Sequence, residues 1–157
     1  MAQYVAWTAL KGQSGHDAGR QLLQQLYNTH VGGPMPAIVT EPKGKPRFAQ
    51  GDWHFSISHC KTHAFCVLAD RQIGIDAEEK SRQIRLDLAP KILSSGELAQ
   101  FQGAEDPREA LLRFWILKEA TAKRSGEGMG FHPRHTDFTL PDSRITEIDG
   151  CLVAVID

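Results

Sequence analysis

Residues 53–78, WHFSISHCKTHAFCVLADRQIGIDAE, decide the fold. Three apolar runs, Trp53–Cys60, Ala64–Ala69 and Ile73–Glu78, are separated by the polar turns Lys61-Thr62 and Asp70-Arg71-Gln72. Short runs rich in aliphatic and aromatic residues between turn signals predict strands, here an antiparallel meander. Working outward, Tyr4, Ala6 and Thr8 alternate with Val5, Trp7 and Ala9, which predicts an opening strand. Ser14 and Asp17 have the spacing of a capping box, with Asp in place of Glu or Gln, and Ala18, Leu22 and Leu26 follow at helical spacing. Gly32-Gly33-Pro34 ends that helix, and Glu41-Pro-Lys-Gly-Lys-Pro46 reads as a basic loop.

Beyond the strands, the polar stretch Ser81–Arg85 links two halves, 1–80 and 81–157, expected to form one compact unit. Leu86–Leu93 and Glu97–Phe101 predict short helices. Asp106-Pro107 supplies the N-cap and first residue of a longer helix, running to about Arg124 and stopping before Gly126. The tail from Phe131 predicts strands at Asp137–Leu140 and Cys151–Ile156. Strand, helix and strands followed by helices and strands define an α+β class.

Of the 157 residues, 41% are hydrophobic and 24% charged, the balance of an ordinary globular protein. The net charge of -1 argues against a global basic field for nucleic acid or an anionic membrane, so any phosphate site must be a local cluster. Cys60, Cys66 and Cys151 form no disulfide-framework pattern, which points to a reducing compartment. There is no signal-peptide pattern and no apolar run of the roughly 20 residues a membrane helix needs, so the expected location is cytoplasmic.

Four short motifs can carry chemistry. In Gly74-Ile-Asp-Ala-Glu78, strand alternation puts Ile73, Ile75 and Ala77 on one face and Asp76 and Glu78 on the other. Two carboxylates so placed repel unless a cation lies between them, and their hard oxygens suit Mg²⁺; a solvated strand end has the same pattern. In Phe114-Trp-Ile-Leu-Lys-Glu-Ala-Thr-Ala-Lys123, Glu119 lies one turn beyond Trp115 near the apolar edge, or simply pairs with Lys123 at i, i+4. Phe55-Ser-Ile-Ser-His59 offers a hydroxyl and an imidazole at a strand end, and Gly44-Lys45-Pro46 fixes a lysine in a loop.

These motifs, in this order and spacing, resemble the 4′-phosphopantetheinyl transferases of the type that activates surfactin synthetase, over about Arg20–Gly128. The resemblance implies a pseudo-twofold α+β fold with the active site between two similar halves. It implies transfer of 4′-phosphopantetheine from coenzyme A to a serine of an acyl or peptidyl carrier protein, releasing adenosine 3′,5′-bisphosphate. Asp76, Glu78 and Glu119 match the family's Mg²⁺ ligands (Mn²⁺ being equally oxygen-seeking), with Glu119 as general base, Lys123 on the leaving phosphate and Asp76 within the catalytic group. Arg20, Lys45, Ser58, His59 and Lys118 match coenzyme A contacts, and Glu97 an acidic helix residue, although Ser94-Ser-Gly-Glu97 also has capping-box spacing. An acidic carrier surface would meet Lys45, Arg47, Arg113 and Arg124. The expected state is a monomer or weak self-association. The other classes consistent with these residues are a non-catalytic coenzyme A or carrier-protein binder and a metal-dependent pyrophosphate hydrolase.

The chain departs from the family pattern in three places. Cys60 stands where a serine is usual, Gly126-Glu-Gly128 carries an acid where a lysine is common, and the N-terminal basic segment for the coenzyme 3′-phosphate is missing, leaving Lys43 or Arg47 to substitute. Cys60-x₂-His63-x₂-Cys66 looks superficially like a zinc cluster, but its spacing fits no common zinc pattern, and Cys66 between Phe65 and Val67 reads as a buried strand residue.

Overall fold

The structure, a computed structural model, describes residues 1–128 and 132–157. Phe131, where the tail begins, lies outside them. Strands β1 (Gln3–Ala9), β4 (His54–His59) and β5 (His63–Ala69) form one antiparallel sheet in the order β1-β5-β4. Strands β6 (Gly74–Glu79), β7 (Ile145–Ile148) and β8 (Cys151–Ile156) form a second, in the order β6-β8-β7. Helix α1 (Gly15–His30) follows the first strand of the first sheet. After the first strand of the second come α2 (Ala89–Ile92), α3 (Ser95–Gln102) and α4 (Pro107–Ser125). Both halves therefore share one topology: a strand, a helix, then a hairpin whose last strand inserts beside the first. This is the pseudo-twofold α+β arrangement.

Strand alternation builds the layers. Every residue of β5 is buried because both its faces are covered. Ala64, Cys66 and Leu68 pack with Leu22, Leu23 and Leu26 of α1. Phe65, Val67 and Ala69 pack with Ile75, Ala77 and Val153 of the second sheet. That sheet's opposite face, Leu152, Ala154 and Ile156, packs with Leu112, Ile116 and Ala120 of α4. The order of layers is α1, first sheet, second sheet, α4. Asp76 and Glu78 pair with Ala154 and Leu152, so they share the face that looks at α4.

Two expectations change. The runs at 53–78 are not one meander: β4 and β5 pair, but β6 pairs with β8, so sheet membership changes at Asp70–Ile73 rather than near residue 80. The reason is that Ile73, Ile75 and Ala77 bury against Phe65 and Val67, which places β6 beneath the first sheet instead of at its edge. The two edges still meet. Ser56 Oγ accepts from the Ile75 amide and Ser58 Oγ from the Ala77 amide, both at 3.1 Å, so serine hydroxyls replace ladder carbonyls at the seam. Second, Asp137–Leu140 pairs with no strand among the described residues, because α3 side chains bind its backbone. Glu97 accepts from Phe138 N at 2.7 Å and Gln100 from Leu140 N at 2.9 Å. Leu86–Leu93 is short and helical as expected, a 3₁₀ turn followed by the four-residue α2. The hairpin of β2 (Ile38–Thr40) and β3 (Pro46–Phe48), which brackets the basic loop, and strand β7 were not foreseen.

Gly74 explains how α4 comes so close. A Cβ there would fall inside contact distance of the Ala120 carbonyl oxygen and 2.6 Å from the Arg124 amide nitrogen, both backbone atoms. Gly74→Ala is expected to lower stability by about 1–3 kcal/mol through forced backbone shift. Urea denaturation reads this directly, and an unchanged midpoint would contradict it.

Candidate active site

The cleft lies where β4 of the first half meets α4 of the second. It encloses about 280 Å³ and is lined by Lys43, Lys45, Ser56, Ile57, Glu119 and Lys123, among others. One wall is acidic. Asp76 is buried, accepts from Ser58 Oγ at 3.2 Å and from Lys123 Nζ at 3.0 Å, and lies 18 residues from the serine that binds it. Lys123 also reaches the Ile57 carbonyl at 3.4 Å, so this one side chain spans α4, β4 and β6. Glu78, half-buried, is held by Arg82 at 2.6 Å and lines a separate hollow beside His59 rather than the cleft itself. Glu119 lies one helical turn before Lys123.

Burial pushes all three carboxyls above their usual range. For Asp76 it outweighs the opposing pull of Lys123 and Ser58. For Glu78 it outweighs Arg82, with the charges of Asp76 and Glu79 adding to the rise. For Glu119, burial is followed by the charges of Asp76 and Glu78, against Lys123. Glu119 thus feels both other carboxylates and Glu78 feels Asp76, and oxygen donors of this kind suit a hard divalent cation, although the three carboxylates do not lie with all their ligand atoms within 4.8 Å of one another.

This repulsion predicts a pH effect. Because Glu119 has a folded pKa above its unfolded value, its favourable contribution exists below the ordinary glutamate range and is lost as pH rises through the raised value. In chelator at neutral pH, Glu119→Gln should therefore be more stable than the parent by about 0.5 kcal/mol, a figure scaled down for its half-exposed setting. The difference should close as pH falls below about 4.3. Urea titrations at several pH values test this, and a pH-independent difference would contradict it.

The opposite wall is the basic loop between β2 and β3. Lys45 Nζ donates to the Arg124 carbonyl at 2.8 Å, near the C-terminal end of α4, and burial lowers its pKa. Gly126 caps α4 at φ 75°, and a Cβ there would lie 3.2 Å from the Lys45 side chain; a Cβ on Gly128 would collide with the Lys43 carbonyl. These two glycines admit the lysine loop, a role their acidic neighbour Glu127 does not disturb. His59 is exposed at the end of β4, against Gly15. Gly19 abuts Ile57, and half-buried Arg20 follows it on α1.

Lys118 and Glu97 do not join the cleft. Both are fully buried in the second half, with Nζ 2.7 Å from Glu97 Oε1. The same ammonium donates to the carbonyls of Pro133 and Thr136 at 2.6 and 2.8 Å and to Thr136 Oγ1 at 3.0 Å. Glu97 also completes the capping box of α3. The pair ties α3, α4 and residues 133–138 together. Of the basic residues expected at a docking face, Arg47 pairs with Glu41 at 3.4 Å and Arg113 with Glu109 at 2.9 Å.

Site features not foreseen are Arg82 on Glu78, Ser56 at the seam, and the glycines 15, 19 and 74 that let helices touch strands. Only Gly74 had a signal, its place beside Ile75 and Asp76 in an otherwise apolar strand.

A profile of the 4′-phosphopantetheinyl transferase superfamily matches residues 72–152, from just before β6 into β8. The chain belongs to that superfamily. It is 32% identical over 125 residues to the 4′-phosphopantetheinyl transferase psf-1 of Bacillus pumilus, covering 73% of this chain and 53% of that protein. It is 32% identical to the 4′-phosphopantetheinyl transferase HetI of Nostoc sp. strain PCC 7120, covering 71% and 52%, and 32% identical to the 4′-phosphopantetheinyl transferase AcpT of Escherichia coli K12, covering 69% and 56%. The chain spans about half the length of these curated relatives. Among the described residues, no helix is long and apolar enough to cross a membrane.

Proposed function

We propose that this chain transfers the 4′-phosphopantetheinyl group of coenzyme A to a serine hydroxyl of an acyl or peptidyl carrier protein and releases adenosine 3′,5′-bisphosphate. The observation that carries this reading is the placing of Glu119 and Lys123, the latter bound to buried Asp76, on one wall of a cleft whose other wall is the Lys43–Lys45 loop.

Asp76, Glu78 and Glu119 would hold Mg²⁺ or Mn²⁺, which supplies charge neutralisation at the pyrophosphate oxygens. The serine Oγ forms a bond to the β-phosphorus while the bond from that phosphorus to the bridging oxygen breaks, and the bridging oxygen departs with the adenosine bisphosphate. Glu119, with its raised pKa, accepts the serine proton at its carboxylate. Lys123 Nζ, held at the seam by Asp76, donates to the departing phosphate. Lys45, Ser58, His59 and Arg20 form the coenzyme side, with Lys43 available for a further phosphate. Lys118 is assigned a structural role instead, because its ammonium is already surrounded by acceptors.

Chromatography of coenzyme A turnover with several apo carrier proteins tests the reading. The expected result is adenosine 3′,5′-bisphosphate released only when a carrier is present, in equal amount to carrier consumed. Release without carrier would replace the transferase by a pyrophosphate hydrolase. Coenzyme A binding without release would leave a binding module.

A further inference from the structure

A second cluster of metal-binding side chains lies away from the carboxylates. Cys60 lies in the β4–β5 turn and His63 opens β5, while Asp149 lies in the β7–β8 turn and Cys151 opens β8. Although 91 residues apart in the chain, Cys60 Sγ and Cys151 Sγ are 4.0 Å apart, and Cys151 Sγ is 3.5 Å from His63 Nδ1. The three donor atoms all lie within 4.8 Å of one another. Cys66, the nearer cysteine in sequence, is buried instead against α1.

A tetrahedral ion about 2.3 Å from each sulfur and about 2.0 Å from the nitrogen would set the sulfurs roughly 3.8 Å apart and sulfur from nitrogen roughly 3.5 Å apart. Both separations match. The ring is also oriented for it. His63 Nε2 lies 2.8 Å from Asp149 Oδ2, an acceptor only, so in the neutral ring Nε2 carries the proton and Nδ1 keeps a lone pair, with Thr62 Oγ1 at 2.7 Å and Cys151 Sγ at 3.5 Å. A carboxylate behind a zinc-binding histidine in this way fixes the tautomer and the ring orientation. Without an ion the Thr62 hydroxyl, 2.7 Å from Nδ1, donates to that lone pair; an ion would displace it toward Glu79, now 3.2 Å away, and water would fill the fourth position.

We infer that Cys60, His63 and Cys151 form a binding site for a borderline-soft divalent cation of the zinc class, clamping the β4–β5 turn of the first half to the β7–β8 turn of the second. The site is structural. Cys151 is 1% exposed, so the Cys151–His63–Asp149 alignment has no access for a substrate and does not act as a nucleophile. Burial and the neighbouring Cys60 push the Cys151 thiol up to about 12, and loss of its proton accompanies metal binding. The inference does not depend on the transferase reading.

Cobalt(II) added to the full, chelator-stripped and reduced chain tests it. The expected result is one equivalent of cobalt that carries a thiolate-to-cobalt charge-transfer band and the intense visible bands of tetrahedral cobalt, all displaced by Zn²⁺, whatever weakly coloured cobalt the carboxylates take up. These bands should vanish in Cys60→Ala, a half-buried position, and persist in Cys66→Ala and Glu119→Gln. Asp149→Asn should weaken cobalt affinity, at the lower end of about 10- to 100-fold. Absence of the charge-transfer band in the reduced protein would overturn the inference, as would its survival in Cys60→Ala. A Cys60–Cys151 disulfide in the untreated protein, with no cobalt bound after reduction, would overturn it in favour of a redox link.

Discussion

Glu119→Gln should lower the rate of carrier modification about 10²- to 10⁴-fold while leaving coenzyme A affinity within a few-fold, the behaviour expected when a proton acceptor is removed but the binding surface remains. The substitution keeps shape and removes charge. Glu119 lies on α4 one turn before Lys123, and the coenzyme contacts proposed above come from other elements: Lys45 from the β2–β3 loop, Ser58 and His59 from β4. The effect should therefore fall on kcat rather than KM. Steady-state kinetics at saturating Mg²⁺ would check this. A variant within ten-fold of the parent would remove Glu119 from the reaction, and a large rise in KM alone would reassign it to coenzyme binding.

The second large effect is on stability. Lys118→Met should destabilise the fold by about 3–5 kcal/mol, because it strands the Glu97 carboxylate without its cation in a fully buried site. Four acceptors converge on the lysine, so residues 133–138 and the start of α3 should loosen together. Adding Glu97→Gln to Lys118→Met should recover part of the loss, since the stranded charge is then gone. Urea denaturation of the single and double variants measures both. If Lys118→Met leaves stability unchanged but abolishes coenzyme A binding, the lysine acts in the cleft after all.

Lys118 and Glu97 also show where sequence reading stops. Phe114–Lys123 was legible as one helix, because Asp106-Pro107 and Gly126 punctuate it and its apolar residues recur at helical spacing. The same spacing cannot say which polar residues face inward, since residues 133–138 fold over Lys118 only in three dimensions. Asp76 and Glu78 were legible as a pair because strand alternation puts them on one face whatever the sheet. The choice of sheet was not legible: β6 pairs with β8, almost at the other end of the chain, and short turns around β5 favour a local meander. Gly74 had a visible place in the motif, but its reason is the backbone of Ala120 and Arg124, some fifty residues on. The Cys60–His63–Cys151 cluster was half visible. The local spacing suggested Cys66, whereas strand pairing brings in Cys151.

The central claim is that the acidic wall and the lysine loop together deliver a phosphopantetheinyl group to a carrier serine. Intact-mass spectrometry of apo carrier proteins, incubated with the full chain, coenzyme A and Mg²⁺, tests it most directly. The account predicts a mass gain of one phosphopantetheinyl group on at least one carrier, absent in excess chelator and nearly absent with Glu119→Gln. No gain on any acyl or peptidyl carrier, from a folded protein that binds coenzyme A, would contradict it.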